Sequence, residues 1–194
     1  MPAVGHYAET PFTTLIACLL SLRTQDKTTY AACEKLFRLA ETPQTMAVLP
    51  ASRIEKAIYP VGFYKTKAKN IKEICRLLLS QNDGGVPDEL DELLKLPGVG
   101  RKTANLVITM GFGKPGICVD THVHRITNRW GYVRTKTPEQ TEMTLREKLP
   151  RQYWIIINDL LVAYGQNLCK PISPLCSRCK IAPYCSRVGV AVSR

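Results

Sequence analysis

No stretch of this 194-residue chain is apolar for long enough to cross a bilayer. Its best run, LIACLLSL from Leu15 to Leu22, is less than half of the ~20 residues a transmembrane helix needs. The opening residues MPAVGHYAETPF have no basic start followed by an apolar segment. No secretory signal is read there, and the expected location is cytoplasmic, or nucleoid-associated if the source is bacterial. Strand-like alternation is missing, which argues against a sheet, and neither an internal repeat nor a low-complexity tract occurs. Acidic residues are scarce: 16 stand against 27 lysines and arginines, for a formal charge of +11. That balance favours polyanionic partners, nucleic acid first and an anionic membrane surface second. At 45% hydrophobic the chain has enough apolar residues for a packed core.

What is present is helical periodicity. In KTKAKNIKEICRLLLSQ the residues Ala68, Ile71, Ile74, Cys75, Leu78 and Leu79 fall on one helical face. PFTTLIACLLSL, DKTTYAACEKLFRLA, PEQTEMTLREKL and YWIIINDLLVAYGQNL read as further helices. TPQ, VGFYK, NDGGVP and GFGKPG read as the connections between helices. The fold class is all-α. A domain boundary is expected at GFGKPG, Gly111 to Gly116, with roughly six helices before it and about three after.

VPDELDELLKL reads as a helix with Pro87 and acids in its first turn, and TANLVITM resumes the helical pattern. Between them Leu96-Pro97-Gly98-Val99-Gly100 makes a tight glycine hairpin, followed at once by Arg101 and Lys102. Glycines allow a ligand close to the backbone, and a helix start offers N–H groups that suit a phosphate. Such a contact positions a protein on nucleic acid without reading sequence. A plain αα-hairpin turn is the simpler alternative. Lys102 is the anomaly, because a helix N-terminus repels positive charge. The same repulsion, with Arg101 adjacent and partial burial, would favour a neutral and therefore nucleophilic amine.

The eight cysteines form two groups. Cys18, Cys33, Cys75 and Cys118 are scattered among apolar residues and read as buried small hydrophobes. Cys169, Cys176, Cys179 and Cys185 crowd into a C-x6-C-x2-C-x5-C pattern in a terminal segment whose last thirty residues carry five basic side chains and no acid. With no secretory signal, a metal site is a better reading than disulfides. Four thiolates suit zinc or an iron–sulfur cluster. Only Cys176 and Cys179 make the short pair of a zinc ribbon, which leans the spacing toward iron–sulfur.

LPGVGRKTANLV resembles the helix-hairpin-helix of the endonuclease III family of DNA glycosylases. Asp120, eighteen residues after Lys102 in VDTHVHR, matches that family's aspartate, and the cysteine spacing matches its [4Fe–4S] motif. PFTTLIACLLSLRTQD and VGFYKTKAKNI extend the resemblance nearly to the start. It implies two helical domains, with residues 4–114 a six-helix bundle carrying the hairpin. Residues 115–194, with 1–3, would form the cluster domain, and the active site would lie in the cleft between the two.

The resemblance further implies a monomeric bifunctional glycosylase and abasic-site lyase acting on oxidised pyrimidines in double-stranded DNA. Lys102 would attack the sugar C1′ and form a Schiff base that undergoes β-elimination, with Asp120 assisting. The expected DNA contacts are Leu96, Gly98, Val99, Gly100 and Arg101 of the hairpin, His122, and Arg178 and Lys180 of the cluster loop. Phe63 and Arg23 would fill the gap left by a flipped base, and Gln25 and Asp26 beside Arg23 would also contact DNA. Arg23 stands where the family usually has glutamine. The family also commonly carries a further helix ahead of PFTTLIA, packed on the cluster domain. Two other readings stay open: a mismatch thymine or uracil glycosylase, and a non-catalytic DNA-binding iron–sulfur protein.

Overall fold

A computed structural model describes residues 3–194. Every regular element among the described residues is helical. The first unit, which ends at Lys114, contains α1 (Ala3–His6), α2 (Pro11–Ser21), α3 (Asp26–Phe37), α4 (Pro43–Val48) and α5 (Ala51–Ile58). It continues with α6 (Tyr64–Gln81), α7 (Leu90–Leu94) and α8 (Arg101–Leu106), the last running into a π-helical turn over Val107–Gly111. Residues 1 and 2, grouped with the second domain on sequence, lie outside the described residues. Ala3 begins α1, which packs on α2 and α3 of the first unit.

The centre of this unit is α2. Thr10 caps it, accepting from the Thr13 N–H at 3.1 Å while Thr13 Oγ1 accepts from the Thr10 N–H at 3.1 Å, and Pro11 occupies the first turn. Phe12 through Leu20 are all buried, the pattern of a helix surrounded by other elements rather than lying on a surface. The same Thr-Pro-x-Thr device starts α4, so TPQ opens a helix and is not a connection: Thr42 caps and Thr45 reciprocates. On α6 the buried face is Lys67, Ala68, Ile71, Ile74, Cys75 and Leu78; Leu79, at the margin of that arc near the helix end, is exposed. Pro87 and Asp88 stand ahead of α7, not in its first turn. Asp88 instead pairs with Lys114 at 2.7 Å, an exposed pair that solvent screens.

The second unit, Pro115–Arg194, contains α9 (Thr121–Trp130), α10 (Pro138–Lys148) and α11 (Ile157–Asn167), with 3-10 turns over Arg151–Tyr153, Cys176–Arg178 and Ala182–Tyr184. It has its own core of Ile117, Val119, Val123, Ile126, Val133, Leu145, Leu161 and Cys169. Helix α11 starts later than its periodicity suggests. Pro150 directs a 3-10 turn and the Trp154 indole N–H donates to the Leu149 carbonyl at 2.8 Å, which holds residues 154–156 outside the regular helix.

Candidate nucleic-acid interface and cysteine centre

In the hairpin each residue has a distinct physical task. The side chains of Leu96 and Val99 are buried in the first core, so whatever they offer a ligand comes through the backbone. Gly98 has φ +79°, so its conformation calls for glycine, and a Cβ there would also displace the Asn70 amide, lying 2.5 Å from its Nδ2. Gly100 differs. It is extended, with φ −100°, and a Cβ on it would meet nothing within 4 Å. That side of the residue is open space. Arg101 is half-buried at the first position of α8. Lys102, at the second, is exposed rather than partly buried, because α8 begins at the surface of the unit.

The other first-unit candidates sit at two turns. Arg23 (φ +53°) and Phe63 (φ +58°) are both non-glycine residues in the left-handed region, a conformation that costs roughly 1–3 kcal/mol and persists only where its surroundings enforce it. Both are exposed, and the Arg23 guanidinium lies over the Phe63 ring at 5.6 Å. With Leu19, Leu22, Lys67, Asn70 and Gly98 they line one recess that reaches the hairpin. Gln25 and Asp26 are exposed at the start of α3, where Gln25 occupies the N-cap without a side-chain hydrogen bond.

Sequence reading missed Lys67. It is a buried lysine whose ammonium donates to the carbonyls of Leu20 (2.9 Å) and Leu22 (2.6 Å) and to Thr24 Oγ1 (3.3 Å). Burial pulls this ammonium down to about 8, and the three oxygens oppose that pull by favouring the charged form. A signal existed, since Lys67 stands four residues before Ile71 and seven before Ile74, on the apolar face of α6.

In the second unit Asp120 caps α9. One oxygen, Oδ1, accepts from the backbone N–H groups of His122 (2.8 Å) and Val123 (2.9 Å). The half-buried His122 ring lies against α11: a Cβ on Gly165 would come within 2.2 Å of its Nδ1. Its other contact is Arg125, 3.1 Å away.

Cys169, Cys176, Cys179 and Cys185 are free thiols around one cavity, otherwise walled mainly by Trp130, Leu168, Pro174, Leu175, Ala182 and Val190. Donors point at the sulfurs. Arg129 Nη1 donates to Cys169 Sγ at 3.3 Å, the Tyr164 hydroxyl lies 2.7 Å from Cys179 Sγ, and the Arg187 N–H donates to Cys185 Sγ at 3.4 Å. Burial and the bond to Cys179 push the Tyr164 phenol above its ordinary range, so it keeps its proton to donate. Among the described residues no three His, Cys, Asp or Glu side chains close on a single ion. Four thiols around one mostly apolar-walled cavity, with hydrogen-bond partners at three of the sulfurs, could hold a metal centre through thiolate bonds. Arg178 and Lys180 are exposed on the loop between Cys176 and Cys185. Arg129 and Tyr164 were not legible as partners of the cysteines, since both lie outside the motif.

The chain matches the model of the HhH-GPD superfamily base excision DNA repair proteins over residues 16–151. It is 48% identical to Endonuclease III of Thermotoga maritima, over 93% of this chain and 85% of that protein. A solved structure of a trapped Endonuclease III–DNA covalent intermediate superposes with a TM-score of 0.85 at 38% identity, covering 92% of this chain and 84% of that one. A thermostable thymine-DNA glycosylase superposes nearly as well, TM-score 0.83 over 94% of this chain and 87% of that one, but at 25% identity. The backbone is thus common to Endonuclease III and a thymine-DNA glycosylase, while sequence draws the closer line, and the chain belongs to the endonuclease III family within the HhH-GPD superfamily of base excision DNA repair proteins.

Proposed function

We propose that this base excision repair glycosylase and lyase removes oxidised pyrimidines from duplex DNA, with the Lys102 amine as nucleophile. The observation that carries the reading is the placement of Lys102: exposed, on the first turn of α8, directly after a hairpin whose Gly100 leaves its face open. The amine attacks C1′ of the target nucleotide as the bond to the base breaks and the base leaves with a proton. The C1′–O4′ bond of the amine adduct then opens, with O4′ taking a proton, and the imine so formed loses a C2′ proton, so that β-elimination expels the 3′-phosphate. Asp120 supplies negative charge to balance the cation developing on the sugar.

A flipped nucleotide leaves a hole in the duplex, and Phe63 with Arg23 fills it. Gly98, Gly100, Arg101, Arg178 and Lys180 hold phosphates. The four cysteines hold a [4Fe–4S] cluster, which supplies folding energy and fixes the loop bearing Arg178 and Lys180. The enzyme acts as a monomer on the DNA of the cytoplasm; no described helix is long and apolar enough to cross a membrane. The test is a panel of duplexes, each with one damaged or mismatched base, scored for strand cleavage. Cleavage at oxidised pyrimidines is expected, whereas activity confined to thymine or uracil opposite guanine would establish the mismatch reading instead.

Purified protein is expected to be yellow-brown and to contain about four irons and four sulfides per chain. Stoichiometric zinc without sulfide would overturn the cluster assignment. Cys179→Ser is expected to cut soluble yield sharply, because the cavity loses both a ligand and the partner of Tyr164. DNA affinity should fall with salt: the three cationic phosphate contacts of Arg101, Arg178 and Lys180 alone lose roughly 40-fold between about 50 and about 200 mM. A flat titration would remove the phosphate contacts. Phe63→Ala should slow processing of a paired damaged base about tenfold more than cleavage at a preformed abasic site, which needs less unstacking. Equal losses on the two substrates would remove Phe63 from the gap.

A further inference from the structure

The turns that carry Arg23 and Phe63 are far apart in sequence, and one side chain joins them. Helix α2 ends at Ser21, and its last carbonyls need partners from outside the helix. Lys67 provides one for Leu20, and another for the cap residue Leu22, whose carbonyl also accepts from its ammonium. Its ammonium bonds Leu22 on one side of Arg23 and Thr24 on the other, so both neighbours of this left-handed residue hang from one nitrogen. The same lysine reaches the second turn twice. Its backbone N–H donates to the Phe63 carbonyl at 3.0 Å, and the Thr24 hydroxyl that it holds accepts from the Gly62 N–H at 3.2 Å. Gly62 is pressed against the first turn, since a Cβ on it would lie 2.7 Å from the Arg23 carbonyl oxygen. Arg23 lies outside any regular element and Phe63 stands only at the N-cap of α6, so the shared clamp is what over-determines both.

We propose that Lys67 is a positioning residue for insertion into DNA: through Leu22, Thr24 and Phe63 it locks the two turns into one rigid wedge that presents Arg23 and Phe63 together. The inference rests on reading those two side chains as the gap fillers. A wedge must arrive pre-ordered, because ordering it on the DNA would subtract from the unstacking it has to drive. Deleting the ammonium should therefore affect the step that opens a paired duplex and spare the chemistry at a site already lacking its base.

The experiment measures single-turnover cleavage on two duplexes, one with a paired oxidised pyrimidine and one with a preformed abasic site. Four proteins are compared: native, Lys67→Met, Phe63→Ala and the double variant. Lys67→Met is expected to slow the paired substrate about tenfold, the scale of hydrogen bonds to a charged group, and the abasic substrate less than about twofold. In the double variant the paired-substrate loss should match that of Phe63→Ala alone, because both changes disable one device. Additive losses, or equal slowing of both substrates by Lys67→Met, would overturn the proposal. If Phe63→Ala itself shows no preference for the paired substrate, the gap-filling reading fails instead, which separates the two claims. Should Lys67→Met not fold, Thr24→Val carries the test: it removes the hydroxyl joining the two turns but leaves Lys67 its carbonyl partners. A selective loss of about threefold is then expected, and no selectivity would overturn the proposal.

Discussion

Lys102→Gln is expected to abolish strand cleavage and the covalent complex that borohydride captures from the imine, while leaving the protein folded and bound to DNA. The three outcomes separate for physical reasons. Residue 102 is exposed on the first turn of α8, and glutamine has nearly the helix propensity of lysine, so stability should shift by less than about 0.5 kcal/mol. Removing one cation lowers the salt slope of binding by about one unit and the affinity only modestly. No such gradation exists for the chemistry, because an amide nitrogen is not a nucleophile and cannot form an imine. Borohydride reduction on an abasic duplex, resolved on a denaturing gel, reads the adduct directly, and filter binding on the same duplex reads affinity. A Lys102→Gln protein that still yields the adduct would show that another amine attacks. Retained cleavage with no adduct would show that no imine forms.

The elements most legible in the sequence were those governed by local rules. Apolar periodicity marked α2, α3, α6 and α10, and the C-x6-C-x2-C-x5-C spacing brought four thiols around one cavity. The readings that slipped were those in which tertiary contacts set the boundary. Pro87 looked like a helix start, yet Asp88 is drawn off to Lys114 and α7 begins only at Leu90. Short α4 and α5 went unread as helices, although Thr42-Pro43 is a capping signal in plain view and Ile54, Ala57 and Ile58 mark one helical face of α5.

The site divides in the same way. Gly98 and Gly100 are equivalent letters in the hairpin, but a positive φ calls for glycine at the first, while the second is extended and has room for a side chain. Only coordinates separate those tasks. The partners that hold functional residues in place were the hardest to see. Lys67 acts on carbonyls 45 and 47 residues away, and Arg129 reaches Cys169 across 40. Backbone carbonyls carry no sequence signature, so a side chain that serves them looks like any other lysine or arginine.

Asp120 allows charge and cap to be tested apart, and the two expected effects differ in size. Oδ1 accepts both helix N–H groups, at 2.8 and 2.9 Å, while Oδ2 takes no hydrogen bond from the described residues. Asparagine is about as good an N-cap as aspartate, so Asp120→Asn should preserve α9 and melt within about 0.5 kcal/mol of the native protein. It nevertheless removes the negative charge. Single-turnover base release is then expected to fall by a factor of roughly 10²–10³, the scale of a lost preorganised electrostatic contact. Binding should hold or tighten slightly, because a carboxylate near phosphates is repulsive. Slow borohydride capture at an abasic site should survive, since Lys102 is intact. Asp120→Ala adds a loss of about 1 kcal/mol of stability from the missing cap, with a fall in base release similar to that of asparagine. If asparagine supports base release at the native rate while alanine does not, Asp120 acts through the cap and its charge has no part in the reaction.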